Sequence, residues 1–197
     1  QGDVGCGKTI VALLAALVAM ENGLQVAFMA PTELLAEQHY LSISRLLGSS
    51  GFSVVALTGG MGAKERRDTL AAVAQGDAHL VVGTHALVQR TVRFQRLGLA
   101  VIDEQHRFGV LQRVTLRDKG SRPDFLVMTA TPIPRTLALT SYGDLDISVI
   151  RDLPPGRVPV KTTLDPDSRR EQVYDLVGHQ LEAGRQAYVV YPLIEES

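Results

Sequence analysis

An α/β protein with an open, doubly wound and mostly parallel sheet is the fold class this sequence predicts, and three observations carry that prediction. Gln1-Gly2-Asp3-Val4-Gly5-Cys6-Gly7-Lys8-Thr9 fits the phosphate-binding pattern GxxxxGK[ST], a tight turn that leads into a helix. Short apolar runs of strand length alternate with helical segments over most of the chain. One of those runs, ending in Val101-Ile102, passes directly into two carboxylates, Asp103 and Glu104. In such sheets ligands bind at the carboxyl ends of the strands, which is where these motifs fall.

The elements follow in order. An apolar helix over Ile10 to Met20 is stopped by Gly23, and Leu24 to Met29 reads as a buried strand. Pro31-Thr32-Glu33 leads into a second helix with apolar positions Leu34, Leu35, Leu41 and Leu46, closed by Gly48 to Gly51. Ser53 to Leu57 is a strand, Ala63 to Gln75 a charged helix, and Ala78 to Val82, Leu97 to Ile102 and Phe125 to Met128 are further strands. Residues 151–159 hold three prolines and a glycine, a composition that stiffens the backbone and removes donors, so they form an expected linker between residues 1–150 and a second unit from 160 to 197. In that unit Val160 to Leu164 reads as a strand, Ser168 to Ala183 as a helix and Gln186 to Tyr191 as a strand.

Composition narrows the function classes. A hydrophobic content of 45% supports one good core with length left for part of a second. With 20 basic residues against 21 acidic ones, attraction of nucleic acid by bulk charge is excluded, whereas local contacts are not. The longest apolar run, Ile10 to Met20, is too short for a bilayer span and no leader precedes it, so a cytoplasmic location with no membrane partner is expected. A single cysteine cannot form an internal disulfide, and no Cys/His cluster has metal-ligand spacing. The chain lacks a starting methionine and the strand that feeds a phosphate loop, and it stops before a helix could follow residues 186–191. It is therefore expected to be a fragment of a longer protein.

The phosphate loop sets the chemistry. Gly2, Asp3, Val4, Gly5, Cys6 and Gly7 form a turn whose successive N–H groups converge on an anion, and the helix that starts at Lys8 adds the positive end of its dipole. Lys8 would bridge the β- and γ-phosphates of ATP, and the Thr9 hydroxyl would ligate Mg²⁺. Cys6 places the chain's single thiol inside this loop. Paired carboxylates at a strand end divide the remaining work: Asp103 on the metal side, holding Mg²⁺ through water, and Glu104 as the general base for the attacking water. Standing alone the pair also reads as an acidic turn after a core strand; the phosphate loop upstream favours the catalytic reading.

With Gln105-His106 the box becomes Asp-Glu-Gln-His, and the chain resembles the superfamily 2 helicases with a DExH box, most closely the RecG-type ATP-dependent DNA helicases. The resemblance runs through residues 2–9, Ala-Pro-Thr-Glu-Leu-Leu-Ala-Glu-Gln-His at 30–39, Gly-Thr-His-Ala-Leu at 83–87 and Asp-Glu-Gln-His-Arg-Phe-Gly-Val at 103–110. It continues through Thr-Ala-Thr-Pro-Ile-Pro-Arg-Thr-Leu-Ala-Leu-Thr at 129–140 and Leu-Pro-Pro-Gly-Arg at 153–157. It implies a RecA-like P-loop NTPase domain over 1–150, a linker over 151–159 and the beginning of a second RecA-like domain over 160–197. It also implies ATP and Mg²⁺ as cofactors, branched or forked duplex DNA as partner in recombination and repair, and a monomeric motor.

Residue by residue, the resemblance implies that His106 links the nucleotide site to Thr129 and Thr131. It further implies that Pro31, Thr32 and Glu33, then Thr58, Gly59 and Gly60, then Thr84 and His85 lie along the DNA track. Glycines and helix starts expose N–H groups that can hold phosphates without reading bases, which agrees with that placement. Arg135, which follows Pro132-Ile133-Pro134 and so comes after two prolines that fix the backbone, is a candidate for a domain-interface or DNA contact, whereas Arg66, Arg67, Arg90, Arg93 and Arg96 read as solvated surface. An arginine finger from a second domain is worth about 10³ to 10⁵ in rate, so residues 1–197 on their own are expected to hydrolyse ATP negligibly. Two other readings stay open: the motor of a transcription-repair coupling factor, which shares several of these runs, and a nucleotide-binding switch that remodels no DNA.

Overall fold

Five apolar stretches supply the strands of one sheet: β1 (Gln25–Met29), β2 (Val54–Leu57), β3 (Leu80–Gly83), β4 (Leu97–Asp103) and β5 (Asp124–Met128), in the order β2-β3-β1-β4-β5. The computed structural model describes residues 1–104, 115–116, 119–120, 122–130, 146–152, 156, 158 and 160–190. All four strand pairings are parallel, with Val26 opposite Leu80 and Leu99 and Val101 opposite Leu126. Parallel neighbours require crossover connections, which α2 (Glu33–Leu47) and α3 (Ala63–Gln75) provide after β1 and β2. The preceding helix, α1 (Lys8–Glu21), begins two residues earlier than the apolar run alone suggests.

Helices cover both faces, which is why the inner strands are mostly apolar, with Gln25 at the start of β1 and Asp103 at the end of β4 as the exceptions. Val26 and Phe28 of β1 pack with Ala12, Leu13 and Ala16 of α1 and Ile43 and Leu47 of α2. The intervening Ala27 and Met29 face the other way, into a cluster with Val73 of α3, Val81 and Leu87. None of the helices among the described residues is long and apolar enough to cross a membrane.

Two features of the core were not visible as motifs. Gln25, at the start of β1, is 3% exposed and fully bonded. Its Nε2 donates to Val73 O (2.9 Å) and Ala78 O (2.8 Å), and its Oε1 accepts from Gln95 N (2.7 Å) and Arg96 N (3.0 Å). One side chain thereby ties the end of α3 to the approach to β4. Gly83, where β3 lies between Leu57 and Met29, is the second feature. A Cβ there would collide with the Leu57 carbonyl and press on the Leu87 side chain at 3.0 Å, so only glycine fits. Gly83→Ala is expected to lower stability by about 1–3 kcal/mol, read from the shift in urea midpoint, the usual cost of overpacking a closed core; an unchanged midpoint would contradict this packing.

Lys119 Nζ donates to the carbonyls of Gln89 (2.7 Å) and Val92 (2.6 Å), and its burial holds the ammonium pKa below the usual lysine range.

The chain divides into two compact units, Gln1–Pro155 and Gly156–Ser197. In the second, a short 3₁₀ turn, Asp167–Arg169, leads into α4 (Arg170–Glu182). The strands expected over 160–164 and 186–191 are not formed among the described residues, where 160–166 and 185–190 carry no regular structure. Val160, Leu164, Tyr188 and Val190 are exposed. Their β propensity is real, but a strand is stable only when laddered to a neighbour over a buried face, and the described part of this unit supplies a helix alone.

Candidate functional site

The carboxyl edge of the sheet collects the predicted residues. Gly7 caps α1 in a left-handed conformation (φ 95°), which only glycine adopts without strain, and Gly5 is also left-handed (φ 81°). Their conformations turn the chain sharply before Lys8, so that the first N–H groups of α1 open onto the loop. Inside the loop Cys6 N donates to Asp3 O (3.2 Å) and Val4 N to Asp3 Oδ1 (2.7 Å). Lys8 Nζ donates to Gly2 O (2.8 Å) and Asp3 O (2.9 Å), folding the ammonium over the loop where phosphates would sit. Thr9, half-buried, lies in the first turn of α1.

What anchors this loop is β5. Gly2 N donates to Thr129 O (3.2 Å), directly after the strand, and Gly2 forms a parallel bridge with Ile150, whose N–H donates to Gln1 O (2.8 Å). A side chain on Gly2 would collide with Cys6 Sγ and approach Ile150, so the loop is packed as well as bonded.

The acidic pair approaches the same place from β4. Asp103 is the last residue of that strand, and Glu104 turns away from it with φ 50°. That left-handed backbone is uncommon for a residue with a Cβ and sends consecutive carboxylates in different directions. Glu104 N donates to Met128 O (3.0 Å), and its Oε1 accepts from Ala130 N (3.3 Å). The end of β5, Met128-Thr129-Ala130, is thus bonded to Glu104 on one side and to the phosphate loop on the other. Among the described residues no group of three or more His, Cys, Asp or Glu side chains forms a ready-made metal site.

The other half of the edge holds the expected DNA residues. Pro31, Thr32 and Glu33 follow β1, Thr58, Gly59 and Gly60 follow β2, and Thr84 and His85 follow β3, three strands that are neighbours in the sheet. Thr32 caps α2, its Oγ1 accepting from Leu35 N (3.3 Å). The Glu33 carboxylate accepts from Gly59 N (2.9 Å), so it joins two of these loops. Gly59, Gly60 and His85 are exposed. Thr84 is 2% exposed, and its hydroxyl has no hydrogen-bond partner among the described residues. Arg66, assigned above to solvated surface, donates to Gln89 Oε1 (2.7 Å) and reaches Thr58 O (3.5 Å), bracing the loop after β2. His106, Thr131 and Arg135 lie outside the described residues.

One contact crosses between the halves and involves a residue no motif singled out for chemistry. His39, on α2, places Nε2 2.8 Å from Asp103 Oδ2. The two residues are 64 positions apart, so only the tertiary fold reveals the pair.

Comparison with known proteins agrees with this geometry. The chain is 54% identical over 199 residues to the ATP-dependent DNA helicase RecG of Aquifex aeolicus, covering all of this chain and 25% of that protein. It is 54% identical over 202 residues to RecG of Escherichia coli K12, covering 29% of it. A solved structure of RecG bound to a three-way DNA junction superposes with a TM-score of 0.80 at 46% identity, over 99% of this chain and 26% of that one. The chain therefore spans about a quarter of the length of the relatives it matches. The family described as DEAD/DEAH box helicase matches residues 1–140, most of the chain. With its phosphate loop and Asp-Glu pair joined at the end of β5, the chain belongs to the DEAD/DEAH box helicases.

Proposed function

We propose that this chain is the ATP-hydrolysing part of a RecG-like motor that translocates on branched or forked duplex DNA in recombination and repair, acting as a monomer in the cytoplasm. The observation that supports the reading is the double attachment of the β5 end, through Gly2 N to Thr129 O and Ala130 N to Glu104 Oε1, which joins the phosphate loop and Glu104 to one short segment. When bound, ATP and Mg²⁺ supply the phosphoryl group to be transferred and the neutralisation of its charge. N–H groups of residues 2–9 would hold the phosphates, Lys8 would exchange the Gly2 and Asp3 carbonyls for phosphate oxygens, and Thr9 and Asp103 would hold the metal. Glu104 would take the proton of the attacking water.

Movement of Thr129 would be felt at the phosphate loop through its carbonyl and at Glu104 through the adjoining Ala130, which supports a coupling role for that segment beside the DNA edge formed by the loops after β1, β2 and β3. The strong identity to RecG, together with the likeness to a RecG solved on a three-way DNA junction, favours branched DNA over the transcription-coupled reading.

Hydrolysis of ATP by the full-length protein tests this. Turnover is expected to require Mg²⁺ and to rise at least tenfold with a three-way junction compared with linear duplex of the same length. Equal turnover with and without DNA would remove the motor and leave the switch.

A further inference from the structure

We propose that His39 is a positioning residue for Asp103: it fixes the orientation of the metal-side carboxylate and so sets the affinity of the nucleotide site for Mg²⁺. The inference rests on the reading of Asp103 as the Mg²⁺-side acid. An ionised carboxylate can only accept, so the 2.8 Å contact requires His39 Nε2 to donate its proton to Oδ2. That bond occupies Oδ2, so Oδ1 is the oxygen that would face a metal-bound water. Both side chains are mostly shielded, at 13% and 14% exposure, so water competes poorly for the bond.

His39 is itself held on two sides. It sits in the second turn of α2, a helix capped by Thr32 and packed through Ala36 and Ile43 against the sheet. Its ring lies against Phe28, fully buried in β1, with centroids 4.7 Å apart and planes tilted by 50°. A carboxylate at the end of a strand would otherwise sample several rotamers, and each Mg²⁺-binding event would have to select one. A histidine kept only for packing would need the ring and not the proton donor. The two roles separate in their variants.

The test uses the full-length protein with two substitutions, His39→Phe, which keeps a ring against Phe28 and removes the donor, and His39→Gln, whose amide can donate in place of Nε2. Binding of a fluorescent ATP analogue is measured as Mg²⁺ is titrated, with thermal melting as a check on folding. His39→Phe is expected to raise the half-saturating Mg²⁺ concentration by about tenfold to a hundredfold, the usual cost of losing a hydrogen bond to a metal-binding group. Binding measured without Mg²⁺ should stay within about twofold, and His39→Gln should recover most of the loss. A half-saturation in His39→Phe within about twofold of wild type overturns the proposal, as does an equal defect in both variants. If His39→Phe melts below the assay temperature, His39→Ala takes its place with the same two outcomes. Absence of Mg²⁺-dependent nucleotide binding in the wild type would instead sink the ATPase reading itself.

Discussion

Glu104→Gln is expected to lower DNA-stimulated ATP turnover by about 10²- to 10⁴-fold, the range attached to a lost general base, while nucleotide affinity changes little. The substitution is chosen because it preserves the structure around the residue. Glu104 Oε1 accepts from Ala130 N at 3.3 Å, and the amide oxygen of glutamine can accept in its place. The backbone bond from Glu104 N to Met128 O does not depend on the side chain, nor does the left-handed backbone at φ 50° differ in cost between Glu and Gln. What disappears is the capacity to take a proton. Steady-state hydrolysis measured beside equilibrium binding of a fluorescent nucleotide separates chemistry from binding. Turnover within tenfold of wild type would move the base to another residue; lost fork unwinding is the outcome expected of a motor, whereas a switch would retain binding of its partner.

Gln25→Leu is the largest expected effect on stability, a loss of about 3–5 kcal/mol. Leucine matches the volume, yet it leaves Val73 O, Ala78 O, Gln95 N and Arg96 N without the partner they have now. Each abandoned buried group costs about 1–3 kcal/mol, and the total falls below the simple sum because some of the four regain water on relaxation. A urea midpoint that falls by less than the equivalent of about 1 kcal/mol would show that these loops have other means of satisfying their backbone.

The contrast between those two residues marks how far the sequence could be read. Glu104 was accessible because its chemistry is local: a carboxylate beside another carboxylate, at the end of an apolar run, behind a phosphate-loop pattern. The strands were equally accessible, since β1 beyond Gln25 and all of β3 are covered on both faces and so run without charged or polar side chains. Gln25 was read as one more strand residue because its four partners lie 48 to 71 positions away. His39 stood inside a run quoted only for its resemblance, and the bond that Gly59 N makes to the Glu33 carboxylate joins residues 26 positions apart. Propensity misled where the described residues offer no partner to complete a ladder, as at Val160 to Leu164. In each case the missing information was a contact between distant segments, which periodicity and spacing do not encode.

The attachment of Gln1 and Gly2 to Thr129, Ser148 and Ile150 carries a consequence in time. The bond from Gly2 N to Thr129 O closes a separation of 127 residues, whereas the widest strand pairing in the sheet, Val26 of β1 with Leu99 of β4, closes 73. Closing so long a loop costs more entropy than closing a short one, and that cost must be met before the contact stabilises anything. During folding the sheet and its helices are therefore expected to assemble before the phosphate loop is fixed, so that nucleotide affinity follows the long-range closure and not the first helix.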